Sequence, residues 1–239
     1  MNDCYVAHRG LFTKDQKIPE NSLMAFENAL KYGLAIELDV HLTKDEKLVV
    51  VHDHHLKRIT GKDLTVEEST LEELKKLYLF STQEKIPTLE EVLKLINGKV
   101  LLIIEIKNKG KVGKLEENLL KVLKNYSGNY FIESFNPLSL LYFKRHAKSI
   151  VRGQLCTKKI DDINSKVLQF VLSHMLFNIF TKPHFIAYDI KYFNEKIYLK
   201  TKRKNRKLFL WTIQNLEELK FAEKQSDCVI FNYSEEILQ

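Results

Sequence analysis

The sequence predicts an α/β protein, and within that class a (β/α)8 barrel with a small insertion after the second strand. Three observations predict it. Short apolar runs alternate with amphipathic helical patterns along the whole chain, the arrangement that gives parallel strands joined by helical crossovers. Several of these runs are continuously apolar, as strands buried on both faces are. The 239 residues accommodate eight strand–helix units with no sequence repeat and no linker to divide the chain. A doubly wound open sheet is the runner-up, but it would want a GxGxxG turn after the first strand, and none follows. The expected organisation is one domain over residues 1–239, with the insertion at about 54–99.

Taken in order, the expected strands are Tyr5–Arg9, Ala35–Val40, Leu48–His52, Val100–Lys107, Tyr130–Phe135, Ile150–Cys156, Phe185–Ile190, Leu208–Ile213 and Cys228–Tyr233. Ala35–Val40 and Leu48–His52 read as two halves of one hairpin-like excursion, which leaves eight barrel units. The expected helices are Ser22–Tyr32, Leu71–Leu79, Leu89–Ile96, Leu115–Asn125, Leu138–His146, Ile163–Phe180, Glu195–Lys204 and Leu216–Gln225. In Ser22-Leu-Met-Ala-Phe-Glu-Asn-Ala-Leu30 apolar residues recur at helical spacing; Asn21 or Ser22 can cap the start and Gly33 can end it. Thr88-Leu-Glu-Glu91 has the form of a capping box.

Composition narrows the function. A hydrophobic fraction of 44% allows a sizeable core, and 29% charged residues suit a soluble globule, not a membrane-embedded chain. With only 8 glycines and 4 prolines the chain is not low-complexity. A net charge of +7 favours an anionic partner, either a phosphate compound or transient contact with an anionic membrane surface. Nucleic acid is not expected: the run Lys200-Thr-Lys-Arg-Lys-Asn-Arg-Lys207 reads as a helix end and exposed loop, without zinc-finger spacing or a basic–aromatic stripe. Cys4, Cys156 and Cys228 are far apart and lack CxxC spacing, so neither a disulfide framework nor a zinc site is expected. The compartment expected is a reducing cytoplasm, with no signal peptide at the start. Val167–Phe180 is too short and too interrupted to span a bilayer.

In a barrel, chemistry collects at the C-terminal ends of the strands. The first strand ends in His8-Arg9. The second carries Glu37 and Asp39, then His41; Leu48–Val51 delivers His52-Asp53; the next carries Glu105 and Lys107. Glu37 and Asp39 are one residue apart, so a strand turns both to one side. Burying carboxylates costs several kcal/mol unless they are paired or bind a cation. Glu105, in Leu102-Ile-Ile-Glu-Ile-Lys107, is a third acid in such a setting. Three carboxylates with water make a hard oxygen site for one divalent cation, Mg2+ or Ca2+, with Mn2+ a further option; internal salt bridges such as Glu105 with Lys107 are the competing explanation. His8 and His52 are candidates for proton transfer, because imidazole titrates near working pH. Arg9 and Lys107 can hold an anionic oxygen. His54 and His55 are expected in solvent after the strand. Trp211 reads equally as a wall against substrate or as core.

In order and spacing, His8-Arg9-Gly10, Pro19-Glu20-Asn21-Ser22, Glu37-Leu-Asp39-Val, Thr43-Lys-Asp45, Val50-Val-His52-Asp53 and Ile104-Glu105-Ile-Lys107 resemble the glycerophosphodiester phosphodiesterase family. Ser134-Phe-Asn-Pro137 and Leu210-Trp-Thr-Ile213 continue the likeness through most of the chain. The resemblance implies a TIM barrel that hydrolyses glycerophosphodiesters, small-molecule substrates, to glycerol 3-phosphate and an alcohol. It implies a divalent cation held by Glu37, Asp39 and Glu105 with Glu20 close by, His8 and His52 as the acid–base pair, and Arg9 and Lys107 on the phosphate. It also implies that the insertion caps the mouth and shapes the leaving-alcohol pocket. Near the end the chain departs from the family pattern. Gln214 replaces an asparagine, and Phe231-Asn232 stands where a small polar residue and an acid are usual. Two alternatives remain. One is a lysophospholipase D or related phospholipid-cleaving enzyme, signalled by an exposed apolar rim at Val167–Phe180 or Leu77–Phe80. The other is a catalytically silent barrel that binds head groups.

Overall fold

In a computed structural model of the chain, residues 4–108, 111–158 and 175–238 are described. They form two compact units: residues 7–130, and residues 4–6 together with the described residues from 131 onward. All nine expected strands are present, each within a few residues of its expected limits.

After β1 (Cys4–Ala7), the first unit runs α1 (Leu23–Lys31), β2 (Ala35–Leu42), β3 (Leu48–Val50), α2 (Lys57–Thr60), α3 (Leu71–Leu74), α4 (Leu89–Ile96), β4 (Leu102–Ile106) and α5 (Lys114–Leu123). Helix α1 forms because Ala25, Phe26 and Ala29 recur on one face and are buried. Of the two candidate caps it is Ser22 that accepts the Ala25 N–H. Gly33, at φ 65°, takes the left-handed position that ends it. The capping box expected at Thr88 is made in full with Glu91, and Leu89, Val92, Leu93 and Ile96 bury one stripe of α4. β3 runs antiparallel to β2, with Val40 opposite Val50, which is the expected hairpin. β4 runs parallel to β2 with Glu105 opposite Asp39.

The insertion packs Leu56, Ile59, Val66, Leu74, Leu79 and Ile86 into one buried apolar cluster with Val49 and Val51 of the hairpin. The helix expected over Leu71–Leu79 stops at Leu74. Beyond it the chain turns at Phe80 and Ser81, whose φ values of 47° and 60° no α-helix accepts.

The second unit contains β5 (Tyr130–Ser134), α6 (Pro137–His146), β6 (Val151–Cys156), α7 (Asn178–Thr181), β7 (Phe185–Asp189), α8 (Glu195–Lys202), β8 (Lys207–Ile213), α9 (Leu216–Gln225), β9 (Cys228–Phe231) and α10 (Glu235–Leu238). β5, β6, β7, β8 and β9 pair in chain order, parallel throughout, and β1 lies beside β9. Of the helix expected over Ile163–Phe180, residues 163–174 lie outside the described residues. The basic run does follow a helix end, but Lys202 and Lys207 both bind Asp227, at 2.7 and 3.1 Å.

Contrary to the expectation from cysteine spacing, Cys4 and Cys228 form a disulfide, with Cα atoms 4.5 Å apart. They are 224 positions apart in sequence, so spacing gives no hint of the pair. The adjacency of the first and last strands brings them together, within the Cα range a disulfide needs. Cys156 is free and buried, and burial pushes its thiol up to about 12.

Candidate active site

The first unit gathers eight of the nine residues singled out in the sequence. At the end of β1 the chain turns through Arg9 (φ 54°) and Gly10 (φ 75°). A Cβ on Gly10 would stand 2.9 Å from the Ala25 backbone and the Phe26 ring, so only glycine fits there. The turn is pinned by Glu37: its carboxylate accepts the Arg9 N–H at 2.9 Å and its carbonyl accepts the Gly10 N–H at 3.2 Å. His8 Nε2 then lies 3.9 Å from the same Glu37 carboxylate.

Period-two geometry turns Glu37 and Asp39 to one side, and the β2–β4 register sets Glu105 against Asp39. The three carboxylates form a buried group whose oxygens lie within 4.8 Å of one another. Lys107 reaches both Asp39 at 3.1 Å and Glu105 at 2.8 Å, and Arg9 Nε stands 3.6 Å from Asp39. Asn21, at φ 56°, donates its amide N–H to Asp39 at 2.8 Å. Burial alone would raise the Asp39 carboxyl, but Lys107, His52, Arg9 and His8 hold it well below the usual carboxylate range. Burial pushes the Glu105 carboxyl up; Lys107 opposes this, Asp39 adds to it, and the net shift is upward. Lys107 is raised: burial disfavours its charge, and Asp39 and Glu105 overcome that.

The internal salt bridge weighed from the sequence, Glu105 with Lys107, is therefore present. It does not use up the carboxylates. Among the described residues Asp39 Oδ1, though ion-paired with Lys107, is buried and accepts no hydrogen bond, and Lys107 and Arg9 supply two charges beside three acids. Such an oxygen facing two further carboxylates is part of a donor set that fits a hard divalent cation.

Glu20 is buried near the turn but outside the three-acid group. Arg9 Nη1 donates to it at 2.8 Å and Arg58 Nη2 at 2.7 Å. It falls instead in a group with His52 and Asp53. His52 Nδ1 is 2.8 Å from Asp53 Oδ1. The carboxylate accepts, so Nδ1 carries the hydrogen and Nε2 is the nitrogen turned away from Asp53. Arg58 locks Asp53 from the other side at 2.7 and 2.9 Å. Burial would raise the Asp53 carboxyl, but its bonds to His52 and Arg58 hold it low.

Asn21, Asp53 and Arg58 were not singled out from the sequence as site residues. Asn21 and Asp53 adjoin residues that were, and that adjacency is the signal available. Arg58 offered none. His54 is not in solvent as expected: its side chain is 12% exposed and binds Glu67, and its carbonyl accepts the Val66 N–H at 3.0 Å. His55 is exposed. Trp211 belongs to the other unit, on β8, half-buried and edge-to-face with Phe135 at 5.7 Å. Phe231, the departure from the family pattern, is fully buried in β9, and Asn232 donates to Gln214 at 3.2 Å.

Residues 8–236 match the model of the glycerophosphoryl diester phosphodiesterase family. A glycerophosphodiester phosphodiesterase of Caldanaerobacter subterraneus subsp. tengcongensis is 42% identical over 167 residues, which covers 65% of this chain and 67% of that protein. The matched part spans 67%, 62% and 60% of the first three relatives. An Oleispira antarctica phosphodiesterase, solved with the product sn-glycerol-3-phosphate, superposes with a TM-score of 0.78 at 26% identity, covering 96% of this chain and 93% of that one. A glycerophosphodiester phosphodiesterase of Thermotoga maritima superposes at 0.75 with 27% identity, covering 97% and 95%. The fold class read from the sequence, a (β/α)8 TIM barrel, stands on this likeness.

Proposed function

The chain is an enzyme of the glycerophosphoryl diester phosphodiesterase family, and from that premise we propose that it hydrolyses glycerophosphodiesters to glycerol 3-phosphate and an alcohol by metal-assisted acid–base catalysis. The observation that carries the reading is the convergence of Glu37, Asp39 and Glu105, with an Asp39 oxygen that accepts no hydrogen bond among the described residues, beside Arg9, Lys107 and the two histidines. A phosphodiester site needs neutralisation of phosphoryl oxygens and two positioned proton carriers.

Glu37, Asp39 and Glu105 would hold the cation, Mg2+ or Ca2+ by their all-oxygen donor set, with Mn2+ also suited. When bound, it supplies charge stabilisation at the phosphoryl oxygens. Arg9 and Lys107 bind the phosphate anion. Glu20, which the sequence reading placed close to the metal ligands, we assign to orienting Arg9, because its carboxylate accepts from both Arg9 and Arg58. One histidine takes the proton of the attacking hydroxyl as the new P–O bond forms. The other gives a proton to the leaving alkoxide as the old bond breaks. His52 presents Nε2 because Asp53 fixes Nδ1. Attack by water, or by the glycerol 2-hydroxyl through a cyclic phosphate, uses the same residues; trapping the cyclic product separates them. Trp211 is assigned to a substrate wall and residues 54–99 to an insertion shaping the alcohol pocket of a single domain. We place the enzyme in the cytoplasm, a compartment where a disulfide such as Cys4–Cys228 is rare; no helix of the described residues is long and apolar enough to cross a membrane.

The second reading, a phospholipid-cleaving relative, is favoured by the exposed Ile179 and Phe180 beside Lys144, Arg145 and Lys148, a surface suited to transient contact with an anionic membrane. The test is release of glycerol 3-phosphate from glycerophosphocholine after chelation, then with added Mg2+, Ca2+ or Mn2+, beside His52→Ala. Turnover restored by one cation and lost in the variant supports the proposal. No turnover with any cation overturns it, and a lysophospholipid substrate then tests the second reading.

A further inference from the structure

Outside the proposed catalytic group, His41, His54 and Glu67 converge in the first unit. His41 Nδ1 lies 2.9 Å from Glu67 Oε1, and His54 Nδ1 lies 2.7 Å from the same oxygen. The two rings meet edge to face with centroids 4.4 Å apart. His41 is fully buried, whereas Glu67, on a 3-10 turn over Val66–Glu68, is 37% exposed and opens the group to solvent. His41 Nε2 is 3.1 Å from the main-chain carbonyl of His52.

A carbonyl only accepts, so His41 Nε2 carries a hydrogen. His41 Nδ1 therefore faces a Glu67 carboxylate that only accepts, so a second ring proton or a metal cation must stand at Nδ1, and His54 brings a second imidazole nitrogen to the same oxygen. We propose that the cation is a transition-metal ion of the Zn2+ class, held by His41 Nδ1, His54 Nδ1 and a Glu67 oxygen, with the fourth position open to solvent.

The chemistry favours this over a hard cation. Two imidazoles and one carboxylate suit zinc, whereas the all-oxygen group of Glu37, Asp39 and Glu105 suits magnesium or calcium. A ligating imidazole also characteristically donates its remaining ring N–H to a carbonyl or carboxylate, as His41 does to His52. Zinc bonds of about 2.0–2.1 Å put tetrahedral donors about 3.3 Å apart, so the two nitrogen–oxygen pairs must open by roughly half an ångström, which the partly exposed Glu67 side chain can supply. The ion would tie three pieces of chain together: β2, which carries Glu37 and Asp39; the segment after β3, which carries His52; and the insertion. The inference does not rest on the phosphodiesterase reading.

The test uses the full chain, stripped by a chelator, returned to excess Mg2+ so that the three acids are occupied, and titrated with Zn2+ by calorimetry and with Co2+ by visible absorption. One equivalent is expected in the wild type and in Asp39→Asn, with cobalt ligand-field bands in both. It is expected to be lost in His54→Ala and in Glu67→Gln. Thermal melts identify folded variants, and Glu67→Gln, which keeps the side-chain shape, carries the test if His54→Ala does not fold. No equivalent in the wild type overturns the proposal, leaving protons alone between these groups. So does an equivalent that survives Glu67→Gln, or one lost in a folded Asp39→Asn, which would put the ion at the three acids.

Discussion

The strand pairs β2–β4 and β8–β9 are built alike and filled differently. Both are parallel and buried over most of their length. Yet β2 and β4 bury Glu37, Asp39, His41 and Glu105, while Leu208–Ile213 and Cys228–Phe231 hold no charged side chain. The fold therefore does not need charge at such positions; Leu208–Ile213 and β9 satisfy the same geometry with uncharged side chains. Buried charges carry desolvation penalties that pairing only partly offsets, so their concentration in one strand pair marks where stability has been given up for chemistry.

The sharpest way to break this comparison is a double dissociation. His52→Ala, at the exit of the hairpin that β2 begins, should lower kcat by roughly 10²–10⁴-fold with the thermal midpoint nearly unmoved, since His52 is partly exposed and its Asp53 partner keeps Arg58. Phe231→Ala should do the reverse. It removes a fully buried ring from β9 and should cost about 3–5 kcal/mol of stability by urea unfolding. kcat per folded molecule should be unchanged. Equal losses of kcat in both variants would end the division into chemical and structural strand pairs.

Trp211 sharpens the same comparison, because it is the one β8 residue assigned to substrate. Among the described residues its buried indole Nε1–H has no hydrogen-bond acceptor, which costs free energy unless a ligand supplies one. Trp211→Ala should raise KM roughly 3- to 10-fold, the worth of one aromatic contact, and leave kcat alone. A fall in stability with KM unchanged would return Trp211 to the core and make β8 wholly structural.

Legibility in the sequence divides along similar lines. The strands could be read because continuous apolar runs leave little else to be, and Glu37 with Asp39 because a two-residue period has one meaning in a strand. Glu105 needed the β2–β4 register to meet Asp39, and the family resemblance stood in for that register. Arg58, Glu67 and the burial of His54 were hidden, since they depend on how the insertion folds over its own apolar cluster. Its short helices carry weak periodicity, and the turn at Phe80–Ser81 has neither glycine nor proline to announce it. The Cys4–Cys228 disulfide was hidden for a topological reason: only the adjacency of the first and last strands brings its ends together.

The smallest expected effect probes the ion pairs around the hairpin exit. Burial would raise the Asp53 carboxyl, but bonds from His52 and Arg58 overcome this and hold it below its ordinary value of about 3.9. As pH falls the unfolded chain takes up this proton first, so Asp53 contributes stability that is fully present above about pH 4 and is lost as pH drops toward the depressed folded value. The amide introduced by Asp53→Asn has no proton to gain. At pH 6 the wild type should therefore exceed Asp53→Asn in urea midpoint, and the gap should narrow steadily between about pH 5 and pH 2. Asp227 makes the same kind of pair with Lys202 and Lys207 beside β8 and is likewise held low, so Asp227→Asn provides the matched measurement in the other region. If both variants flatten the acid limb alike, paired surface acids serve the two regions equally, and what sets β2–β4 apart is its buried charge alone.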